Sequence, residues 1–129
     1  MTCPCNPLKE YSACCGIAHE NIHAVSTAEQ LMRSRYSAFV VSNIDYLLRS
    51  HHSSNRPSKK EALEIKQWTE SVTWIKLEIL QSTQGRPRDP TGTVEFKAHY
   101  IEEGEEQVIH ENSKFCIENW HWVYLDAVD

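Results

Sequence analysis

The sequence predicts an α+β protein. An N-terminal zinc knuckle built on cysteines is followed by three helices packed on a four-stranded antiparallel sheet. Three observations carry that expectation. Four of the five cysteines lie within the first fifteen residues. Between Ser26 and Trp68, apolar residues recur at helical spacing behind two Ser-x-x-Glu starts. After Glu70 the apolar period changes from helical to alternating. The expected divisions are a knuckle over 1–18, a linker over 19–25 and an α+β domain over 26–129.

The knuckle comes first. Cys3, Cys5, Cys14 and Cys15 are spaced C-x-C, eight residues, C-C. Zinc takes four ligands in a tetrahedron and accepts thiolates readily. "NPLKEYSA" (6–13) supplies the return loop, with Asn6 and Pro7 as turn formers. Disulfides are the competing reading, and a reducing compartment disfavours them. His19 and His23 follow closely enough to substitute as ligands, but four cysteines already fill the tetrahedron, so the expected ligands are Cys3, Cys5, Cys14 and Cys15, with a nearby histidine in place of Cys15 the alternative left open. Residues 26–129 carry a core of their own, so chelation is expected to disorder the N-terminus and leave the rest folded.

The first helix is expected over "STAEQLMRSRYSAFVV", with Ser26 as N-cap and Glu29 completing a capping box. Ala28, Leu31, Met32 and Phe39 form its buried face, and Arg35 falls on that same face. "NIDYLLRS" continues as a shorter helix capped by Asn43, and "SKKEALEIKQW" as a third capped by Ser58 and Glu61. Strands are expected over 72–80, 93–101, 107–117 and 120–128, with a long loop "STQGRPRDPTG" between the first two. Inward faces are Thr73, Ile75, Leu77 and Ile79; Val94, Phe96, Ala98 and Tyr100; and Ile109, Phe115 and Ile117. Trp74 falls on the opposite face of its strand. Cys116 is a small residue of the core or its margin.

A net charge of -5 argues against binding a phosphate backbone, so no nucleic-acid partner is expected. No apolar run approaches the length of a membrane span, and "MTCPC" has no signal-peptide character, which gives a cytoplasmic expectation. Nucleophilic-serine, phosphate-loop and dinucleotide signatures are absent.

"CPCNPLKEYSACCG" resembles a SEC-C motif, the zinc knuckle at the end of the SecA translocation ATPase, although Asn6-Pro7-Leu8 stands where Gly-Ser-Gly is usual. The order of helices and strands is similar to the cone-like fold of the nuclear transport factor 2 superfamily, in which helices close one face of a curved sheet. "AEQLMRSRYSAFV", "DYLLRSHH" and "HENSKFCIENWHWVYLDA" resemble the YchJ-like family of uncharacterised bacterial proteins. The resemblance implies fold and zinc, and no established activity.

Two functions are weighed. The first is a protein-interaction or adaptor module using the knuckle, whose closed four-thiolate site leaves no position for substrate. The alternative is a small-molecule binder or a lyase- or isomerase-type enzyme with a pocket inside the cone. An open pocket between helices and sheet favours the second, and a filled cone the first. No catalytic residue is assigned on the first reading. On the second, the candidates are Arg35, Glu111 and Ser113. Strand parity turns Glu111 and Ser113 inward with Ile109 and Phe115, which predicts an Arg35–Glu111 ion pair completed by Ser113 and Tyr36. His51-His52 are read as complements to a helix C-terminus. His99, His110 and His121 share an outer face, as a solvated surface or a cluster. Partner, substrate and oligomeric state are left open.

Overall fold

In the computed structural model, residues 1–128 are described. Strands β1 (Thr2–Cys3) and β2 (Asn6–Glu10) form a small antiparallel hairpin. Helix α1 (Cys15–Glu20) follows, then α2 (Ala28–Val41), α3 (Ile44–Arg49) and α4 (Lys59–Ser71). Strands β3 (Thr73–Gln84), β4 (Thr91–Glu102), β5 (Glu105–Glu118) and β6 (His121–Ala127) make one antiparallel meander in chain order.

Helix α2 is the axis of the molecule. Thr27, not Ser26, is its N-cap, and its hydroxyl accepts from the Gln30 N–H at 3.1 Å. Ser26 instead donates to the Gln30 side chain through its own N–H and hydroxyl. The cap moves one residue because Ala28 N–H is taken by the Gly85 carbonyl at 2.9 Å, which seats the helix start on the β3–β4 hairpin. The approach is close. A Cβ on Gly92 would stand 2.4 Å from the Gly85 Cα, and one on Gly85 would stand 2.6 Å from the Ala28 Cβ. Gly85 also has φ of +72°, so both close approach and backbone favour glycine there.

The expected face of α2 is buried, with Leu31 and Met32 in the core and Phe39 at its margin. Ser34 and Ser37 are buried too, which its helical period does not indicate. Their burial has a simple cause: the sheet lies on one side of α2 and α1 with the cysteine hairpin on the other. The 19–25 segment, expected to be a linker, is therefore packed structure. Residues to Glu20 continue α1, Ile22–Ala24 form a 3-10 turn, and Ile22 and Val25 are buried. Cys3, Cys5 and Cys15 share one continuous core with Leu31, Phe115 and Trp122.

Asn43 caps α3, and Ser58 with Glu61 forms the expected capping box on α4. The β3–β4 connection is shorter than expected, because the two strands extend to Gln84 and from Thr91. Strand β4 alternates as expected, with Val94, Phe96 and Ala98 buried. Strand β3 does not. A bulge between Trp74 and Lys76 turns Trp74 inward and leaves Ile75 46% exposed, after which Leu77 and Ile79 regain the core face. Ile117, expected inward, is exposed near the end of β5.

Candidate metal centre and ligand cavity

The cysteine site grows from local chain geometry. The β1–β2 hairpin brings Cys3 beside Cys5, and the first turn of α1 returns Cys14 and Cys15 to them. All four sulfurs lie within 4.8 Å of one another. Cys3 and Cys5 Sγ are 3.7 Å apart, and Cys5 and Cys14 Sγ are 3.6 Å apart. Four metal–sulfur bonds of about 2.3 Å in a tetrahedron place sulfurs about 3.8 Å apart, so this donor set fits a tetrahedral soft-ligand ion. The Cys5 thiol is held down at about 5, chiefly by hydrogen bonding from Cys15 and further from Cys14 and Cys3, against the effect of burial. Cys15 is pushed up by the same contact with Cys5 and by burial. Cys14 is likewise pushed up to about 11 by burial and by its sulfur neighbours, so without a counter-ion the cluster favours one thiolate at Cys5, and a bound cation is what would let the others ionise.

Neither nearby histidine joins the set. The Tyr11 hydroxyl donates to His19 Nδ1 at 2.6 Å, and His19 Nε2–H donates to the Ser34 carbonyl at 2.8 Å. Burial pushes its pKa down, so the ring stays neutral with both nitrogens used. His23 stands edge-on to His121 with ring centres 5.2 Å apart. Arg33 clamps the hairpin to α2, donating from Nη1 to the Cys5 carbonyl at 3.2 Å while Nε meets Glu29 at 3.0 Å. Gly16 lies against Tyr11, whose carbonyl would be 2.7 Å from an added Cβ.

The second site is a cavity of about 360 Å³ between the helices and the sheet. Its walls are mostly apolar, with Phe39 and Met32 from α2, Ile65 and Trp68 from α4, and Trp74 and Ile109 from the sheet. At one end stands a polar group made of Arg35, His51, Glu111, Ser113 and Tyr124. Arg35 is inside the protein, 7% exposed, as its helical position predicts. The direct pair with Glu111 does not form: among the described residues no carboxylate oxygen lies within 4.0 Å of the guanidinium. Nη1 donates instead to the Leu47 carbonyl at 3.0 Å and to Ser50 Oγ at 2.7 Å. The guanidinium carbon lies 5.0 Å from the centre of the Tyr124 ring, an aromatic face occupying the place expected for the carboxylate.

Glu111 accepts from Ser113 Oγ at 2.5 Å and from the Tyr124 hydroxyl at 3.1 Å, so Ser113 is in the expected group while Tyr36 is not. Tyr36 instead meets Trp74 edge-on, with ring centres 5.8 Å apart. Burial and the neighbouring Glu111 push the Tyr124 phenol up, keeping it a donor. His51 is pushed down to about 4 by burial and by the charge of Arg35, so it is neutral at pH 7. His51 is thus a cavity residue and not a complement to a helix end; His52 faces Glu118 at 3.4 Å. Arg35 itself is lowered to about 10, mainly by burial. The arrangement can hold an anion at Arg35 and can accept a hydrogen bond or a proton at Glu111.

Sequence reasoning missed Ser50, Tyr46 and Leu47. Ser50 orders Arg35 through its oxygen while donating to the Tyr46 carbonyl at 2.7 Å. No periodicity marks a residue that ends a short helix. Tyr124 had a signal, since it shares a strand face with Trp122. The outer-face histidines do not gather: His99 meets Glu78 at 2.5 Å and His110 meets Glu95 at 2.7 Å. Among the described residues, no helix is long and apolar enough to cross a membrane.

Comparison with known proteins gives the family and the fold. The profile of a family described as "YchJ, middle NTF2-like domain" matches residues 27–127. A UPF0225 protein of Vibrio parahaemolyticus is 41% identical, over 98% of this chain and 74% of its own length. One from Streptomyces coelicolor is 40% identical, over 97% of this chain and 93% of its own. The solution structure of a SEC-C motif containing protein from Rhodopseudomonas palustris is similar at a TM-score of 0.82 and 30% identity, covering 100% of both chains. The crystal structure of a SEC-C motif containing protein from Psychrobacter arcticus is similar at 0.80 and 30% identity, covering 98% of this chain and 81% of that one.

Proposed function

This chain belongs to the YchJ-like UPF0225 family, and we propose that it is a small-molecule-binding protein of the cytoplasm whose N-terminal knuckle is locked by one structural zinc ion. The observation that carries the reading is the cavity, about 360 Å³ in volume, with an apolar wall and a polar end. That size falls in the range of small-ligand sites. It reverses the order of the two functions weighed from the sequence, for which a filled cone was the mark of an adaptor. Zinc is the ion because four thiolates at tetrahedral spacing suit it best among common cellular metals, and such a set suits a reducing compartment. When bound, zinc cross-links the β1–β2 hairpin to α1 and supplies no open position for chemistry. Cys3, Cys5, Cys14 and Cys15 hold it, Arg33 anchors the hairpin, and His19 supports the α1–α2 contact.

Two measurements test this. Elemental analysis of protein purified without added metal should give one zinc per chain, and a Cys3 or Cys5 disulfide with little zinc would overturn the metal assignment. A fragment screen by NMR should shift the methyl signals of Leu47, Ile65 and Ile109 together. Shifts confined to the outer surface would remove the cavity reading. Protein contact through the knuckle is a second reading, favoured by Leu8, 92% exposed on the hairpin. Its test is Leu8→Ser, which leaves the metal ligands intact and should abolish any association the intact knuckle makes.

A further inference from the structure

We propose that the cavity selects an amphipathic carboxylic acid, with the carboxylate on the free edge of Arg35 and the apolar body against Trp68, Trp74 and Phe39. The inference rests on the reading of the cavity as a ligand site and adds the chemical class of the ligand.

The argument starts from the hydrogens of one guanidinium. Arg35 has five N–H donors, and the protein uses Nη1 alone, toward Leu47 and Ser50. Nε and Nη2 make no hydrogen bond to any described residue. They are not sealed in, because among the described residues Trp74 Nε1 is the only buried side-chain nitrogen or oxygen without a partner. Arg35 lines the cavity, and Nε and Nη2 are the guanidinium nitrogens that the protein leaves for a ligand there. That edge presents two parallel N–H groups, the fork that binds a carboxylate in bidentate fashion. A guanidinium so far from water is costly without a counter-charge. Tyr124 offers only an aromatic face, and Glu111 turns toward Ser113 and Tyr124. His51 is neutral and supplies no negative charge. Glu111 acts on Arg35 only from beyond hydrogen-bond reach, so an incoming carboxylate is the direct counter-charge that the fold leaves out.

The rest of the cavity narrows the class. Trp68 and Trp74 meet edge-on with ring centres 5.4 Å apart, and Phe39 lies 5.9 Å from Trp74, an aromatic wall suited to a ring or short chain. Glu111 disfavours a second negative charge, so a dicarboxylate or a phosphate ester is a poorer fit than a monoacid. Glu111 is also an acceptor, which would favour an O–H or N–H on the ligand.

The probes are 3-phenylpropanoate and its uncharged isostere 3-phenylpropanamide, titrated into the intact, metal-loaded protein and followed by NMR and tryptophan fluorescence. The acid is expected to bind on the order of tenfold or more tighter than the amide, the scale of one charge-assisted fork. Arg35→Met should erase that preference. Should Arg35→Met fail to fold, Arg35→Lys keeps the cation without the fork and should reduce the preference severalfold. Equal binding of acid and amide would overturn the carboxylate assignment and leave the cavity as a ligand site. Absence of any shift at Leu47, Ile65 and Ile109 with either probe at millimolar concentration would overturn both. An acid preference unchanged in Arg35→Lys and in a folded Arg35→Met would move the anion elsewhere and overturn the role of Arg35.

Discussion

The two polar centres of this protein differ in how completely they are satisfied. Around the knuckle, among the described residues, no buried side-chain nitrogen or oxygen lacks a partner: four sulfurs face one another, both nitrogens of His19 are used, and the half-buried Arg33 spans Glu29 and the Cys5 carbonyl. At the cavity, Nε and Nη2 of Arg35 have no protein partner though they are not sealed in, and the buried Trp74 N–H has none. Burial of unpartnered donors is costly, and folding gains nothing from it. A closed centre is accounted for by stability alone, whereas an open one asks for something outside the chain. The lesson is to read function where hydrogen bonding is incomplete and structure where it is complete.

If the knuckle is structural, its loss should produce the largest effect. Cys3→Ser, or removal of the metal, is expected to cost roughly 3 kcal/mol or more, the scale of losing a native cross-link in a small domain. Cys3, Cys5 and Cys15 share a core with α2 and the sheet, so the loss should reach beyond the N-terminus. Urea unfolding followed by tryptophan fluorescence measures it. Should residues 26–128 keep full stability while only the hairpin disorders, the two regions would be separable, as the sequence alone suggests.

A second variant sharpens the account of the closed centre. His19→Phe fills the same space but strands the Tyr11 hydroxyl and the Ser34 carbonyl. Expected is a loss of about 1–3 kcal/mol with metal content unchanged at one ion per chain. Loss of the metal would mean that His19 is a ligand after all.

The two centres were also unequally legible. Cysteine chemistry is written in local spacing, and the β1–β2 hairpin with the first turn of α1 suffices to assemble it. The helix caps at Asn43 and Ser58 were legible for the same reason, since a cap spans three residues. Parity correctly turned Glu111 and Ser113 inward, and the helical wheel did so for Arg35. What the sequence could not carry is distance across the fold. Whether Arg35 reaches Glu111 depends on where Ser50 and Tyr124 sit, and these come from a helix end and an edge strand joined by the Tyr124 N–H and the Ser50 carbonyl at 2.8 Å. The bulge at Ile75 defeated strict alternation for the same reason, because an extra residue in a strand carries no periodic mark. The packed 19–25 segment was hidden by short elements that have too few residues to show a period.

Acid should separate the centres by a smaller amount. His51 has its folded pKa lowered from 6.5 to about 4, by burial first and then by Arg35, Arg56 and His52, with a contact to Asn55 opposing. The folded state therefore binds fewer protons than the unfolded state between those values. Stability is intact above about pH 6.5 and falls as pH drops toward 4. His51 is half-buried and solvent screens part of the effect, so its share by pH 5 is about 1 kcal/mol. Cysteine protonation and metal loss act in the same direction, but equally in a His51→Leu variant. The difference between wild type and variant across pH 7 to 5 isolates the cavity. Parallel curves would show that His51 is hydrated and that the polar end of the cavity is wetter than its burial indicates.

An effect of similarly small size is expected at Glu111. A direct ion pair with Arg35 would make Glu111→Gln cost about 3–5 kcal/mol, because a buried cation would lose its partner. The structure argues for much less. Ser113 and the Tyr124 hydroxyl both donate to the same oxygen, Oε2, and an amide oxygen in that place accepts both. The amide N–H₂ then takes the position of Oε1, which has no protein partner among the described residues and belongs to a residue lining the cavity. What is lost is the charge on the acceptor, about 0.5–1.5 kcal/mol for two hydrogen bonds that become neutral. Arg35 keeps Leu47, Ser50 and the face of Tyr124 throughout. Chemical denaturation of Glu111→Gln beside Arg35→Met decides it. A small loss at Glu111, with no coupling between the two substitutions in a double-mutant cycle, leaves Arg35 open toward the cavity. A loss above 3 kcal/mol, or coupling of similar size, would mean that Glu111 closes the centre across the ring of Tyr124, and the cavity would then resemble the knuckle.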